Sequence, residues 1–169
     1  MTRVLLIGAM GAGKSTVGAA LAARTGWPYL DNDLLLQRAA GATAPELLAR
    51  DGEPALRAAE RAALDAVLAL PGPLVAGVAG GVVVDPDDRR RLRDGGHVVW
   101  LRARPETLAE RVGAGVGRAW LGDDPAAALR RLVAERAALY EEVATQVVDV
   151  DVLLPDEVAG VVLAALPSG

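Results

Sequence analysis

The chain has no cysteine and no phenylalanine, one histidine and two methionines among 169 residues. Without cysteine there is no disulfide framework and no thiolate metal site. No apolar run approaches the roughly 18 residues a membrane helix needs, which excludes a spanning segment of that kind. Arg3-Val-Leu-Leu-Ile-Gly8 is too short for the apolar stretch of a secretory signal and runs straight into a glycine-rich loop. Positive charge is also lacking: the net charge is −4, whereas a broad nucleic-acid-binding surface is normally basic. Anionic ligands must then be held by a few placed cations. With 52% apolar residues the chain can bury a core, and its length suits one domain, 1–169. The expectation is a soluble, cytoplasmic monomer with neither nucleic acid nor membrane as partner.

What is present alternates. Short apolar runs at Val4–Ile7, Pro28–Leu30, Leu74–Val78, His97–Leu101 and Gln146–Val150 read as five strands. Between them, helical patterns cover Lys14–Arg24, Asp33–Ala40, Ala44–Arg50, Pro54–Leu70, Pro86–Arg93, Pro105–Val112, Pro125–Val143 and Pro155–Ala165. Five of these open on proline, whose missing N–H costs nothing in a first turn. Such alternation predicts an α/β fold with a parallel sheet. The glycine-rich segment Gly113–Asp124 separates two helices and carries Arg118, so it reads either as a mobile lid or as an ordinary connection.

Gly8-Ala-Met-Gly11-Ala-Gly13-Lys14-Ser15-Thr16 matches G-x-x-x-x-G-K-[ST] at every fixed position, between a strand and a helix. The chemistry demands this pattern. Glycines let N–H groups turn inward as an anion nest, and the helix adds its positive end. Gly11, Ala12, Gly13, Lys14, Ser15 and Thr16 are the expected ATP-binding residues; Lys14 would reach the β- and γ-phosphates and Ser15 would ligate Mg²⁺. The chain has no room for the switch regions or added domains of GTPases and motor ATPases, and it lacks N-K-x-D. Small size and the lid-like segment favour phosphoryl transfer to a small molecule.

Asp31-Asn32-Asp33 follows the second strand, where carboxyl ends of parallel strands face a ligand crevice. One carboxylate of Asp31 and Asp33 can hold the Mg²⁺ shell, through water, and the other can orient or deprotonate an attacking hydroxyl. The bland alternative is that the acidic turn only caps the next helix, with Asp33 as N-cap.

The chain here resembles the shikimate kinase family over nearly its whole length. The P-loop and Asp31-x-Asp33 are followed by Gly52-Glu-Pro-Ala-Leu56-Arg57-Ala-Ala-Glu60, similar to G-E-x-x-F-R-x-x-E. Ala79-Gly80-Gly81 stands at the family's triple glycine, Arg118-Ala-Trp-Leu121 at its lid motif R-P-L-L, and Arg136-Ala-Ala-Leu139-Tyr140 at R-x-P-L-Y. The resemblance implies a nucleoside-monophosphate-kinase type of P-loop fold with strand order 2-3-1-4-5. It implies that Asp33, Arg57, Gly80, Gly81 and Arg136 bind the acceptor, with residues 33–60 forming the acceptor-binding helices and 113–124 the lid. Arg118 would close on the ATP phosphates as a catalytic group beside Lys14 and Asp33, and Arg111 would pack on adenine. Two guanidinium forks suit a carboxylate better than a point charge does. On the residues alone, Arg57 and Arg136 read as solvated helix faces.

The chain departs from the family at Ala79, at Leu56 where an aromatic is usual, at Gln37 where an acid is usual, in the Arg-Ala-Trp-Leu lid, and in Asp151-Val-Leu-Leu-Pro155, which lacks an arginine beside the nucleotide. The expected reaction is transfer from MgATP to shikimate, giving shikimate 3-phosphate. Transfer to another polyol, cyclitol, sugar acid or nucleotide is one rival, and a non-catalytic nucleotide-binding module is another. Trp27 and Trp100 are expected to pack, His97 to open the fourth strand, and Trp120 lies in the lid.

Overall fold

Four consecutive apolar residues in the first strand dictate the layering. In the computed structural model, which describes residues 2–113 and 121–167, β1 (Arg3–Ile7) is buried on both faces. Successive side chains of a strand point to opposite sides. Val4 and Leu6 therefore enter one core and Leu5 and Ile7 another. A sheet apolar on both faces needs helices on both.

The elements follow in the alternating order expected. After β1 come α1 (Lys14–Thr25), β2 (Tyr29–Leu30), α2 (Asn32–Ala40), α3 (Ala44–Asp51) and α4 (Glu53–Ala69). Then come β3 (Leu74–Gly77), a 3₁₀ turn (Val82–Val84), α5 (Pro86–Gly95), β4 (His97–Arg102) and α6 (Pro105–Val112). The chain closes with α7 (Pro125–Val143), β5 (Gln146–Asp149) and α8 (Pro155–Ala164). The strands pair in parallel in the order β2-β3-β1-β4-β5. Residues 114–120 of the expected lid, with Arg118 and Trp120, lie outside the described residues.

Helices α1 and α8 cover the Val4/Leu6 face through Val17, Leu21, Val158 and Val162. The opposite face packs on α4, α5 and α7 through Leu64, Val67, Leu92 and Tyr140, with Trp100 between them. A third apolar cluster joins α2, α3 and α4 through Leu36, Leu47 and Leu56. Leu56 is thus a core residue of this three-helix cluster. Its replacement of an aromatic concerns packing there. Trp27 also packs, as expected, against the α1 side. For Gln37, exposed on α2, nothing in the structure explains the departure.

Element boundaries differ slightly, for local reasons. β2 excludes Pro28, which has no N–H to give the ladder, although its carbonyl still accepts from Val75 N at 2.9 Å. The α2 helix starts at Asn32 because the cap is Asp31, whose carboxylate accepts from the Asp33 and Leu34 N–H groups. That corrects the reading of Asp33 as N-cap and leaves its carboxylate free for other work. No helix among the described residues is long and apolar enough to cross a membrane.

Candidate active site

From β1 the chain passes to one side of the sheet for β2 and β3, then to the other for β4 and β5. The carboxyl end of β1 therefore borders the crevice where ligands bind in open α/β sheets. The loop from Gly8 to Gly13 lies there. Gly11 and Gly13 have φ of 83° and 93°, a region that favours glycine, and Gly13 is the left-handed N-cap of α1. The first turn of α1 presents the N–H groups of Lys14, Ser15 and Thr16, which have no partner four residues back. Ala12 is different: its N–H closes a turn on Ala9 O at 3.1 Å, so it is already committed within the loop.

Lys14 is the chain's only lysine. Its Nζ donates to Gly8 O at 2.8 Å and Ala9 O at 3.4 Å, inside the loop. Burial lowers its pKa, opposed by the negative charges of Asp33 and Asp31. Both carboxylates of the acidic pair thus lie close enough to act on the charge of the P-loop lysine. Ser15 Oγ donates to Asp31 Oδ2 at 2.8 Å, and Tyr29 Oη donates to the same oxygen at 3.2 Å. A serine hydroxyl beside a carboxylate oxygen is a hard oxygen pair, suited to Mg²⁺ when phosphates and water complete the shell. No cluster of three or more His, Cys, Asp or Glu able to hold a metal occurs among the described residues, so protein side chains alone do not build a cage. Partial burial, then Asp31's charge, raise the pKa of Asp33, and Lys14 counters them.

A second part of the crevice is built on Gly80 and Gly81, immediately after β3. Neither has positive φ; both are needed for space. A Cβ on Gly81 would stand 1.7 Å from Arg57 Nη1, and one on Gly80 would stand 3.7 Å from Arg136 Nη1 and 3.0 Å from Gly8 O. Two guanidinium groups, from α4 and α7, therefore lie along one stretch of backbone that also abuts the P-loop. Arg57 Nη1 donates to Glu60 Oε2 at 2.6 Å, and its Nη2 to Glu53 Oε1 at 3.2 Å. Glu60 is buried, which raises its pKa, while Arg57 and Arg136 pull it back. Tyr140 Oη donates to Gly80 O at 3.0 Å and its ring packs on Trp100 at 5.6 Å. Arg136 makes no ion pair among the described residues, which leaves a cation facing the site.

Lys14, Asp31, Asp33, Arg57, Gly80, Gly81 and Arg136 thus gather at one crevice. Arg111 sits elsewhere, with Nη2 donating to Val150 O at 2.5 Å where β5 ends. Asp151 next to it accepts from Arg104 N at 3.0 Å and Thr107 Oγ1 at 2.6 Å, which ties that loop to α6. Three residues escaped the sequence reading as site elements: Glu60, Tyr29 and Tyr140. Glu60 and Tyr140 stood inside quoted motifs, three residues after Arg57 and four after Arg136, a spacing that puts each on its arginine's helix face. Tyr29 carried no such signal.

Residues 10–167 match the sequence model described as shikimate kinase. The shikimate kinase of Oleidesulfovibrio alaskensis is 41% identical over 153 residues, 88% of either chain. That of Streptomyces avermitilis is 40% identical over 164 residues, 97% of this chain and 95% of the relative. Among solved structures, the shikimate kinase from Acinetobacter baumannii in complex with shikimate superposes with a TM-score of 0.91 at 32% identity, covering 96% of this chain and 91% of that one. The chain belongs to the shikimate kinase family of ATP-dependent phosphotransferases.

Proposed function

We propose that this chain transfers the γ-phosphoryl group of ATP to the 3-hydroxyl of shikimate. One observation carries the reading: Arg57 and Arg136 lie along Gly80–Gly81, whose backbone abuts the P-loop that positions Lys14. A small ring bearing one carboxylate and several hydroxyls fits that layout. The carboxylate takes the paired guanidinium donors. The far edge of the ring is then offered to Asp33 and to the phosphate end of the crevice.

The roles follow from charge and reach. Loop N–H groups and Lys14 hold the β- and γ-phosphates and spread the charge that develops on the transferred group. Ser15 and Asp31 would hold Mg²⁺, which when bound would supply charge neutralisation for the phosphates. Asp33 accepts a hydrogen bond from the attacking hydroxyl and receives its proton, so the oxygen attacks phosphorus as the bond to ADP breaks. Arg118 adds a cation from the 113–124 segment and Arg111 flanks the adenine. Glu60 holds the Arg57 guanidinium to the glycine backbone, and Tyr140 holds Gly80.

A coupled ADP-release assay tests the reading. Shikimate should stimulate ADP release strongly, whereas gluconate, nucleoside monophosphates and cyclitols without a carboxylate should not. Arg57 keeps its glutamate partners, but a carboxylate-free acceptor leaves Arg136 without a counter-charge, so efficient turnover of one would overturn the assignment.

A further inference from the structure

A slot on the sheet side of the P-loop is filled by a single phenol. Gly18 in α1 and Gly77 at the end of β3 form its walls. A Cβ on Gly18 would stand 2.2 Å from Tyr29 Cε2, and one on Gly77 would stand 2.8 Å from Tyr29 Oη. The Tyr29 ring passes between helix and strand only because neither neighbour has a side chain. Its hydroxyl emerges at Asp31 Oδ2, 3.2 Å away, with the Lys14 carbonyl at 3.5 Å.

Asp31 is thereby held from two directions. Oδ1 accepts from the Asp33 and Leu34 N–H groups at 2.9 and 3.3 Å, which is the helix cap. Oδ2 accepts from Ser15 Oγ and Tyr29 Oη. A capping interaction alone fixes one oxygen and tolerates rocking of the other. Tyr29 limits that freedom by donating to Oδ2 from a ring wedged between Gly18 and Gly77.

We infer that Tyr29 is a positioning residue for the metal side of the site, keeping Asp31 Oδ2 turned toward Ser15 Oγ where Mg²⁺ is to be held. The inference rests on the reading of Ser15 and Asp31 as the Mg²⁺ pair. The Ser15 hydroxyl can keep donating to Asp31 Oδ2 while a lone pair of its oxygen meets a cation, and Tyr29 supplies the second donor to that same carboxylate oxygen.

Tyr29→Phe removes one oxygen and leaves the ring that fills the slot. The decisive measurement is calorimetric binding of ADP to the full chain with excess Mg²⁺ and, separately, with the metal chelated. In the parent, Mg²⁺ should tighten ADP binding. In Tyr29→Phe that tightening should shrink by about 3- to 10-fold, the size expected for one lost hydrogen bond, with metal-free ADP affinity within about twofold of the parent. Full Mg²⁺ enhancement in the variant overturns the inference, because the phenol then only packs. So does an equal loss of affinity with and without metal, which marks the hydroxyl as a general structural support. If the parent itself shows no Mg²⁺ enhancement, the Ser15–Asp31 reading fails and takes the inference with it, a result distinct from either of the others.

Discussion

The tip of the Arg57 guanidinium lies against Gly81, so close that a methyl group there would stand 1.7 Å from Nη1. The backbone at Gly81 is ordinary right-handed, with φ −80° and ψ −16°, so alanine meets no conformational penalty. The obstacle is the tip of one flexible side chain. Gly81→Ala should therefore leave the fold and the KM for ATP close to parental while turning Arg57 away from the acceptor. We expect the KM for shikimate to rise at least tenfold, about 1.4 kcal/mol. Initial rates at varied shikimate and saturating ATP decide it; an unchanged KM would remove Arg57 from the acceptor clamp.

Lys14→Met tests the phosphate end. Lys14 contacts the Gly8 and Ala9 carbonyls, and its ammonium carries charge into the loop at the expense of desolvation. Methionine keeps the length and apolar stem. Stability should hold or rise slightly, whereas turnover should fall by about two to three orders of magnitude, as on losing one preorganised charge at the transferring group. Thermal unfolding and ADP release measured on the same sample separate the two effects.

Asp33→Asn addresses the hydroxyl. Because Asp31 provides the α2 cap, the Asp33 side chain is dispensable for helix initiation. The variant should fold normally and bind ATP, and kcat should fall about 10²- to 10⁴-fold, the usual span of a positioned base. An equal loss of ATP affinity would assign Asp33 to the metal and exchange its role with that of Asp31.

Leu56→Ala reports on the acceptor-side helices. Leu56 is 1% exposed and packs with Leu36 and Leu47. Its truncation should cost about 2–5 kcal/mol, seen as a lowered denaturant midpoint. Arg57 follows it directly, so loosening this cluster should also raise the KM for shikimate before it affects ATP. A neutral effect on stability would show that the cluster collapses around the gap.

Strand positions, helix positions and the P-loop were legible because each has a local cause: apolar runs, proline-led first turns, and glycines flanking a lone lysine. Asp31 and Asp33 were legible as a pair, but their division of labour turned on a backbone detail. Which of two carboxylates caps a helix depends on where the chain leaves its strand, and sequence spacing leaves that open by one or two residues. Glu60 was hidden for another reason. A glutamate three residues after an arginine reads as a surface pair on a helix, and only the fold reveals that the pair is pressed onto Gly81 with the glutamate buried. Tyr29 could not be found at all. Its slot is made by Gly18 and Gly77, which are 59 residues apart in the chain.

Ala79 occupies the first position of the family's triple glycine and is the departure nearest the acceptor. Two outcomes were open: a positive φ or a methyl aimed at the substrate would reshape the pocket, and an ordinary φ with the methyl turned away would not. No residue other than glycine has positive φ among the described residues, so Ala79 is unstrained. Its side chain packs against the cluster containing Val78, Val82 and Tyr140, on the core side. The close approaches belong to Gly80 and Gly81, which are retained. Ala79→Gly should therefore change kcat/KM for shikimate by less than about tenfold, or roughly 1.4 kcal/mol. It should also cost about 0.5–1 kcal/mol of stability, since glycine gives the unfolded chain more freedom. Parallel measurement of kcat/KM and of the unfolding midpoint provides the check. A large gain in activity on shikimate would mean that the Ala79 methyl restricts the acceptor pocket, and that the parent is built for a smaller or differently shaped acceptor.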